Sequence, residues 1–128
     1  MATNKFDVYN FLKKLSESMY GISDTIFTSE RPKSAPDRMK DFVVVSFPVM
    51  LYDKGAYGST YCRIELYARD SDDGFENLNL LNEMKNKAMS AFPVNNDIFK
   101  AVSPRLLMSG SDGYGFHCWI IQATVFIK

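Results

Sequence analysis

Between Asp41 and Asp70 the chain writes two long runs of strand-forming residues around a tight reversal. This stretch limits what everything else can do. The first run is DFVVVSFPVMLYD, the reversal KGAYG, and the second run STYCRIELYARD. Side chains on a strand alternate between the two sides of a sheet. In the second run Thr60, Cys62, Ile64, Leu66 and Ala68 fall on one side, and Ser59, Tyr61, Arg63, Glu65, Tyr67 and Arg69 on the other. That predicts one buried face and one wet face that is polar apart from its tyrosines. In the first run Val43, Val45, Phe47, Val49 and Leu51 oppose Phe42, Val44, Met50 and Tyr52. Around Phe42–Val45 both sides are apolar, so both should be covered. Pro48 cannot donate a ladder hydrogen bond and marks an edge or a bulge. Both runs exceed the usual strand of about 5–6 residues, so the hairpin is expected to project past the body of the domain.

A sheet with an apolar face needs helices to lie on it, and the flanking sequence supplies two. Over Asn4–Tyr20, Val8, Phe11, Leu12, Leu15 and Met19 keep a helical stripe, with Thr3 or Asn4 as cap and Gly21 beyond the end. Over Phe75–Ala91, Phe75, Leu78, Leu81, Met84, Ala88 and Phe92 do the same. Asp70, Asp72 and Asp73 suit the positive end of that helix, and Pro93 stops it. DTIFTS at 24–29 reads as a short strand and ERPKSAPDRMK at 30–40 as a loop. Ile98–Met108 reads as an edge strand or a broken one, because Pro104 lies inside it. Gly110–Gly113 signals a hairpin turn into a last strand, Tyr114–Lys128, apolar on both sides. The order is α-β-β-β-α-β-β. It predicts a single α+β domain over residues 1–128, with a mostly antiparallel sheet and two helices packed on one face. A chain of 128 residues can bury a real core.

Composition narrows the class. Hydrophobic residues make up 46%, which excludes a disordered chain. Fifteen basic and 15 acidic residues leave no net charge, which argues against a domain-wide grip on nucleic acid. Cys62 and Cys118 both sit in apolar strands and read as buried thiols of a reducing compartment. The N-terminal MATNKFDVYNF lacks the apolar run of a signal peptide, and no stretch approaches the ~20 apolar residues of a membrane helix. A soluble protein that starts in a cytosol, with no membrane contact, is expected.

No pattern announces a reaction. His117 and Cys118 are strand neighbours that point to opposite faces, so they make no dyad. Cys62 and His117 could meet only across strands, and His117 reads as a core or interface histidine. Two cysteines and one histidine lack metal-ligand spacing. Asp70, Asp72 and Asp73 before Gly74 miss the calcium-loop register, since the twelfth position from Asp70 is Leu81, and read as a solvated turn and helix cap. Gly110, Gly113 and Gly115 lead into a strand, which excludes a dinucleotide loop. Ser109 and Ser111 have no paired base in view. Tyr57, Tyr61 and Tyr67 near Arg63 and Arg69 could stack bases, but the element order is not that of a base-stacking RNA-binding sheet. No catalytic, cofactor-binding or metal-binding residue is expected, and no enzyme.

The remaining constraint is area. Two helices roof one face of a sheet, and the second face still carries large apolar side chains, each contributing about 1.5–3 kcal/mol once buried. Extended apolar patches are uncommon on monomers. Either the sheet curls on itself or another chain covers it, and a second copy of the chain is the favoured cover. The expected oligomer interface is Phe42, Val44, Met50, Tyr52, Tyr57, Tyr61, Phe116, Ile120 and Phe126.

The opening helix VYNFLKKLSESMYG, the short strand and proline-bearing loop TIFTSERPKSAPDRMK, the strands DFVVVSFPV and YCRIELYARD, the helix FENLNLLNEMKNKAM and the closing DGYGFHCWIIQATVFI follow one another in a particular order. In order and spacing, over nearly the whole chain, this resembles the tail-terminator or tail-completion proteins of long-tailed bacteriophages. The resemblance implies a structural protein of phage or prophage. Such proteins form a ring, commonly a hexamer, that caps the tail tube and joins it to the head connector at the head–tail junction of the virion. DNA passes through the lumen without sequence-specific binding, and assembly takes place in the bacterial cytoplasm. No catalytic residue comes with the resemblance, and head-completion and neck proteins share its features. Two rivals stand beside it. One is a small-molecule-binding α+β barrel of the cystatin or nuclear-transport-factor kind, with His117, Trp119 or Tyr67 in its pocket. The other is an adaptor whose sheet edge recruits a peptide.

Overall fold

A computed structural model describes residues 7–28, 39–46 and 59–128. Helix α1 spans Val8–Ser18 and strand β1 Ile26–Thr28. Strands β2 (Asp41–Ser46) and β3 (Ser59–Arg69) follow, then helix α2 (Leu78–Ser90). Strands β4 (Val94–Asn95), β5 (Phe99–Ser111) and β6 (Phe116–Ile127) close the chain. The result is a single α+β domain with two helices and a curled six-stranded sheet, ordered β1-β2-β3-β6-β5-β4. Among the described residues only β1 and β2 pair in parallel. The expected fold class is therefore observed with one strand more than expected. The extra one is β4, two residues between Pro93 and the expected strand Ile98–Met108.

Local chemistry sets the element ends. Asp7 caps α1: its carboxylate accepts from the Asn10 backbone N–H at 3.2 Å and the Asn10 amide at 2.9 Å, and the expected caps Thr3 and Asn4 lie outside the described residues. Gly21 follows at φ +97, the left-handed conformation that ends a helix cheaply. Asn77 caps α2 through the Leu80 N–H at 3.2 Å. The acidic cluster is thus not the cap. Asp73 serves a separate turn, accepting from the Ser71 hydroxyl at 2.5 Å, and this bond holds its carboxyl below the usual carboxylate range. As a consequence Phe75 and Leu78 precede the buried stripe and stand exposed, and Leu81, Met84 and Ala88 form it. Between β5 and β6 the Asp112 carboxylate accepts from Tyr114 N–H at 2.7 Å and Phe116 N–H at 3.2 Å, which closes the hairpin.

Both helices lie on the same face of the sheet. Phe11, Leu12 and Leu15 of α1, Met19 at its C-terminal cap and the α2 stripe bury against Val43, Val45, Cys62, Ile64, Leu66, Ala68, Trp119, Ile121, Ala123 and Val125. The rings of Phe11 and Phe99 meet at 4.4 Å, which ties α1 to the far strand β5. Alternation predicts these inward positions in β2, β3 and β6. The part of the predicted hairpin from Phe47 to Gly58, with Pro48, Met50, Tyr52 and Tyr57, lies outside the described residues, as does the loop 29–38.

Candidate functional site

The face away from the helices holds most of the expected interface residues, and it divides into two halves. In the half near the β5–β6 turn, register places Phe42 beside Tyr67, Tyr67 beside Cys118, and Val44 beside Glu65 beside Ile120. Phe42 stacks on Tyr67 at 4.5 Å with an interplanar angle of 11°. Phe116 and Phe27 meet Phe42 edge-on at 5.2 and 5.7 Å. The Arg69 guanidinium lies 4.6 Å over Phe116, and its Nε–H donates to the Met39 carbonyl at 2.8 Å. These groups form a second, smaller core.

Phe42, Val44, Phe116 and Ile120 are between 0% and 8% exposed in a single chain. On area a second copy is the favoured cover for these four, and the single chain covers them itself, the other of the two expected outcomes. The reason is cross-strand ring packing, which lets aromatic side chains bury one another. Of the other expected interface residues, Tyr61 is half-buried, Phe126 is 49% exposed, and Met50, Tyr52 and Tyr57 lie outside the described residues. The wet face expected on β3 is wet only at one end. Tyr67 is buried, its hydroxyl donates to Glu65 at 2.7 Å, and burial reinforced by that bond drives its ionisation far above the ordinary tyrosine range.

In the half near Ser46 the face turns polar. Arg63, Gln122 and Arg105 form one row across β3, β6 and β5. Tyr61, Thr124 and Val102 form the next, and Phe126 pairs with Lys100 in the one after.

His117 turns toward the helix side at the mouth of β6. Its Nδ1 lies 2.5 Å from Asp70 Oδ1, with both side chains mostly covered. Register sets Ser111 directly across from it, a neighbour that sequence spacing alone hid. The Ser111 hydroxyl, however, accepts from the Gly113 N–H at 3.1 Å, and no hydrogen bond joins it to the imidazole. Serine, histidine and aspartate thus meet without the nucleophile–base contact that activates a hydroxyl. Cys62 pairs with Ala123, far along the strand from His117, so the two do not meet. Burial pushes both thiols, Cys62 and Cys118, up to about 12, which makes them poor nucleophiles. Among the described residues no three His, Cys, Asp or Glu side chains come together as a metal site. No helix among them is long and apolar enough to cross a membrane.

A groove of about 580 Å³ opens between the segment Gly21–Thr25, Met39–Asp41 and Lys87. Inside it the Ser23 hydroxyl donates to the Asp41 carboxylate. His117, Trp119 and Tyr67 do not line it. Trp119 belongs to the helix-side core and Tyr67 to the opposite face, so no single pocket holds both.

The sheet edges differ. β1 offers an edge of three residues, whereas β5 runs for 13 and is covered by β4 only at Lys100 and Ala101. Among the described residues nothing pairs with the edge of β5 that faces away from β6 beyond that point. Leu107 and Met108, 51% and 68% exposed, point to its two sides. No protein-family model matches the sequence, and no curated protein matches it.

Proposed function

We propose that the chain is a structural subunit of a phage or prophage tail. In this reading, copies assemble into a ring that caps the tail tube and meets the head connector. The support is physical and local. A sheet with two unlike open edges favours head-to-tail contacts between copies, and such contacts either close into rings or run on as filaments. The carrying observation is the β5 edge: long, uncovered over Val102–Ser111, and apolar on both sides at Leu107 and Met108. Pro104 and the register shifts at Val102/Arg105 and Met108/Gly110 break the ladder, as guarded edges do. That limits pairing to a short segment from Arg105 onward and so disfavours indiscriminate stacking. The exposed Phe75, Leu78 and Tyr114 near the same end of the sheet extend the apolar surface available to a neighbour.

Light scattering during size-exclusion chromatography tests the reading, together with negative-stain micrographs of the same fractions. A multiple of the 14.6 kDa chain mass and ring-shaped particles are expected. The variant Leu107→Glu with Met108→Lys should return the protein to a folded monomer. A wild-type chain that stays monomeric at all accessible concentrations would remove the ring. A monomer that instead takes up an extended peptide along β5 would favour the adaptor reading.

A further inference from the structure

We propose that the Ser46 end of the second face, built from Arg63, Gln122, Arg105, Tyr61, Phe126 and Lys100, binds single-stranded nucleic acid. The sequence argued against a domain-wide basic grip, since the chain is neutral as a whole. Folding sorts that charge. Arg63, Arg105 and Lys100 come from two strands distant in sequence and are brought to one face by their common neighbour β6. Among the described residues the one carboxylate beside them on that face, Glu65, accepts from the Tyr67 hydroxyl and lies 3.6 Å from Arg63, so it is already engaged. Arg105 and Lys100 are exposed to solvent. A local row of cations on an otherwise neutral chain is an electrostatic footprint for a polyanion.

Charge alone would suit any polyanion; the two rings select among them. Tyr61 and Phe126 lie diagonally across the β3–β6 ladder, a spacing of about 7–8 Å or less that lets neighbouring side chains share one surface. Among the described residues neither ring stacks on another side chain. Phe126 is a large apolar side chain left half open on an otherwise polar surface. Unpaired bases stack on such rings while arginines and lysines track the phosphates. A duplex keeps its bases stacked internally and gains nothing from the rings. Gln122, between the two arginines, can donate or accept at a base edge or a sugar hydroxyl. The site depends on one chain and so stands or falls separately from the ring.

Fluorescence anisotropy tests it, using a labelled oligothymidylate of about 15 nucleotides, the matching duplex, and heparin as a base-free polyanion. The wild-type protein is expected to bind the single strand in preference to the duplex, with affinity falling as salt rises. Arg63→Ala with Arg105→Ala should weaken binding at least about tenfold and lower the salt slope by roughly 1.4, about 0.7 for each phosphate that an arginine no longer neutralises. Phe126→Ala should weaken binding about five- to a hundredfold with the slope unchanged, since stacking carries no counterions. Circular dichroism confirms that each variant is folded, and Arg63→Lys should restore most of the salt-dependent part. Absence of binding at low salt would overturn the proposal. So would heparin or duplex binding as tight as the single strand, or binding indifferent to Phe126→Ala.

Discussion

The two sides of this sheet solve the same problem by different means. The helix side is roofed by α1 and α2, whose side chains interleave with β2, β3 and β6 into one continuous core. The other side has no helix among the described residues, and half of it is nonetheless dry. There the rings of Phe27, Phe42, Tyr67 and Phe116 pack against one another across four strands, with Arg69 laid over the last. The comparison teaches that apolar sheet area does not translate directly into a demand for a partner. What matters is whether register brings the large side chains together. Where it does, they seal. Toward Ser46 it brings together arginines, a lysine and two unstacked rings instead, and the surface stays open.

The largest effect expected from breaking this comparison is on the helix side. Phe11 is fully buried and touches Phe99 on the far strand, so Phe11→Ala empties the centre of the main core. A loss of about 3–5 kcal/mol is expected in urea denaturation, a large share of the stability of a small domain. Phe42→Ala should cost somewhat less, about 3 kcal/mol, because a smaller cluster can relax around the gap. The informative reading is its dependence on protein concentration. A self-sealed face loses the same amount at every concentration. A loss that appears only where the protein is oligomeric would mean that a partner chain completes this core after all.

The next effect is on pH. Desolvation raises Cys62 on the helix side and Cys118 on the other face from 9.0 to about 12, with the Glu65 charge adding to the second. Between those values the folded chain keeps protons that the unfolded chain gives up. Stability from these groups is therefore complete below about pH 9 and declines as the pH climbs toward 12. Urea midpoints measured across this range should fall, and Cys62→Ala with Cys118→Ala should flatten the fall. Both thiols should resist a disulfide reagent at pH 8 until the chain unfolds. Rapid labelling of Cys118 alone would show that the second core opens by itself.

Much of this was legible in the chain. Period-two alternation in STYCRIELYARD and the helical stripes of both helices give the order of elements along the chain, the common helix face and most of the main core. The failures have specific causes. Tyr67 looked wet because alternation assigns a side but not a neighbour; only register reveals Phe42 beneath it. β4 is too short to carry a pattern of its own. The acidic run before α2 invited a cap, yet Asp70 is drawn away to His117 and Asp73 to Ser71. The cationic row was invisible for the same reason as the aromatic one: Arg63 and Arg105 become neighbours only through Gln122.

A smaller effect separates packing from hydrogen bonding within the second core. Tyr67→Phe keeps the ring stacked on Phe42 and removes only the hydroxyl that donates to Glu65. The expected cost is about 1–2 kcal/mol, most of it from leaving a mostly covered carboxylate short of one donor. A cost near 3 kcal/mol or more would mean that the hydroxyl, not the ring, organises this face.

The smallest expected effect lies at the seam where the two sides meet. Asp70 has just left β3, and its backbone N–H donates to the Gly115 carbonyl at 2.9 Å, while its carboxylate holds His117 at the start of β6. Asp70→Asn preserves the backbone bond and a side-chain acceptor for an Nδ1–H, and removes only the charge. A cost of about 1 kcal/mol is expected, the difference between a hydrogen bond to a charged acceptor and one to a neutral acceptor. Because Ser111 is not hydrogen-bonded to the imidazole, no esterase activity toward an activated ester should exist for the substitution to abolish. Hydrolysis by the wild-type chain that Asp70→Asn and Ser111→Ala both remove would overturn this. It would mean that a small motion of the β5–β6 turn closes the serine onto the histidine, and the end of the sheet would then be a reaction centre rather than a clasp.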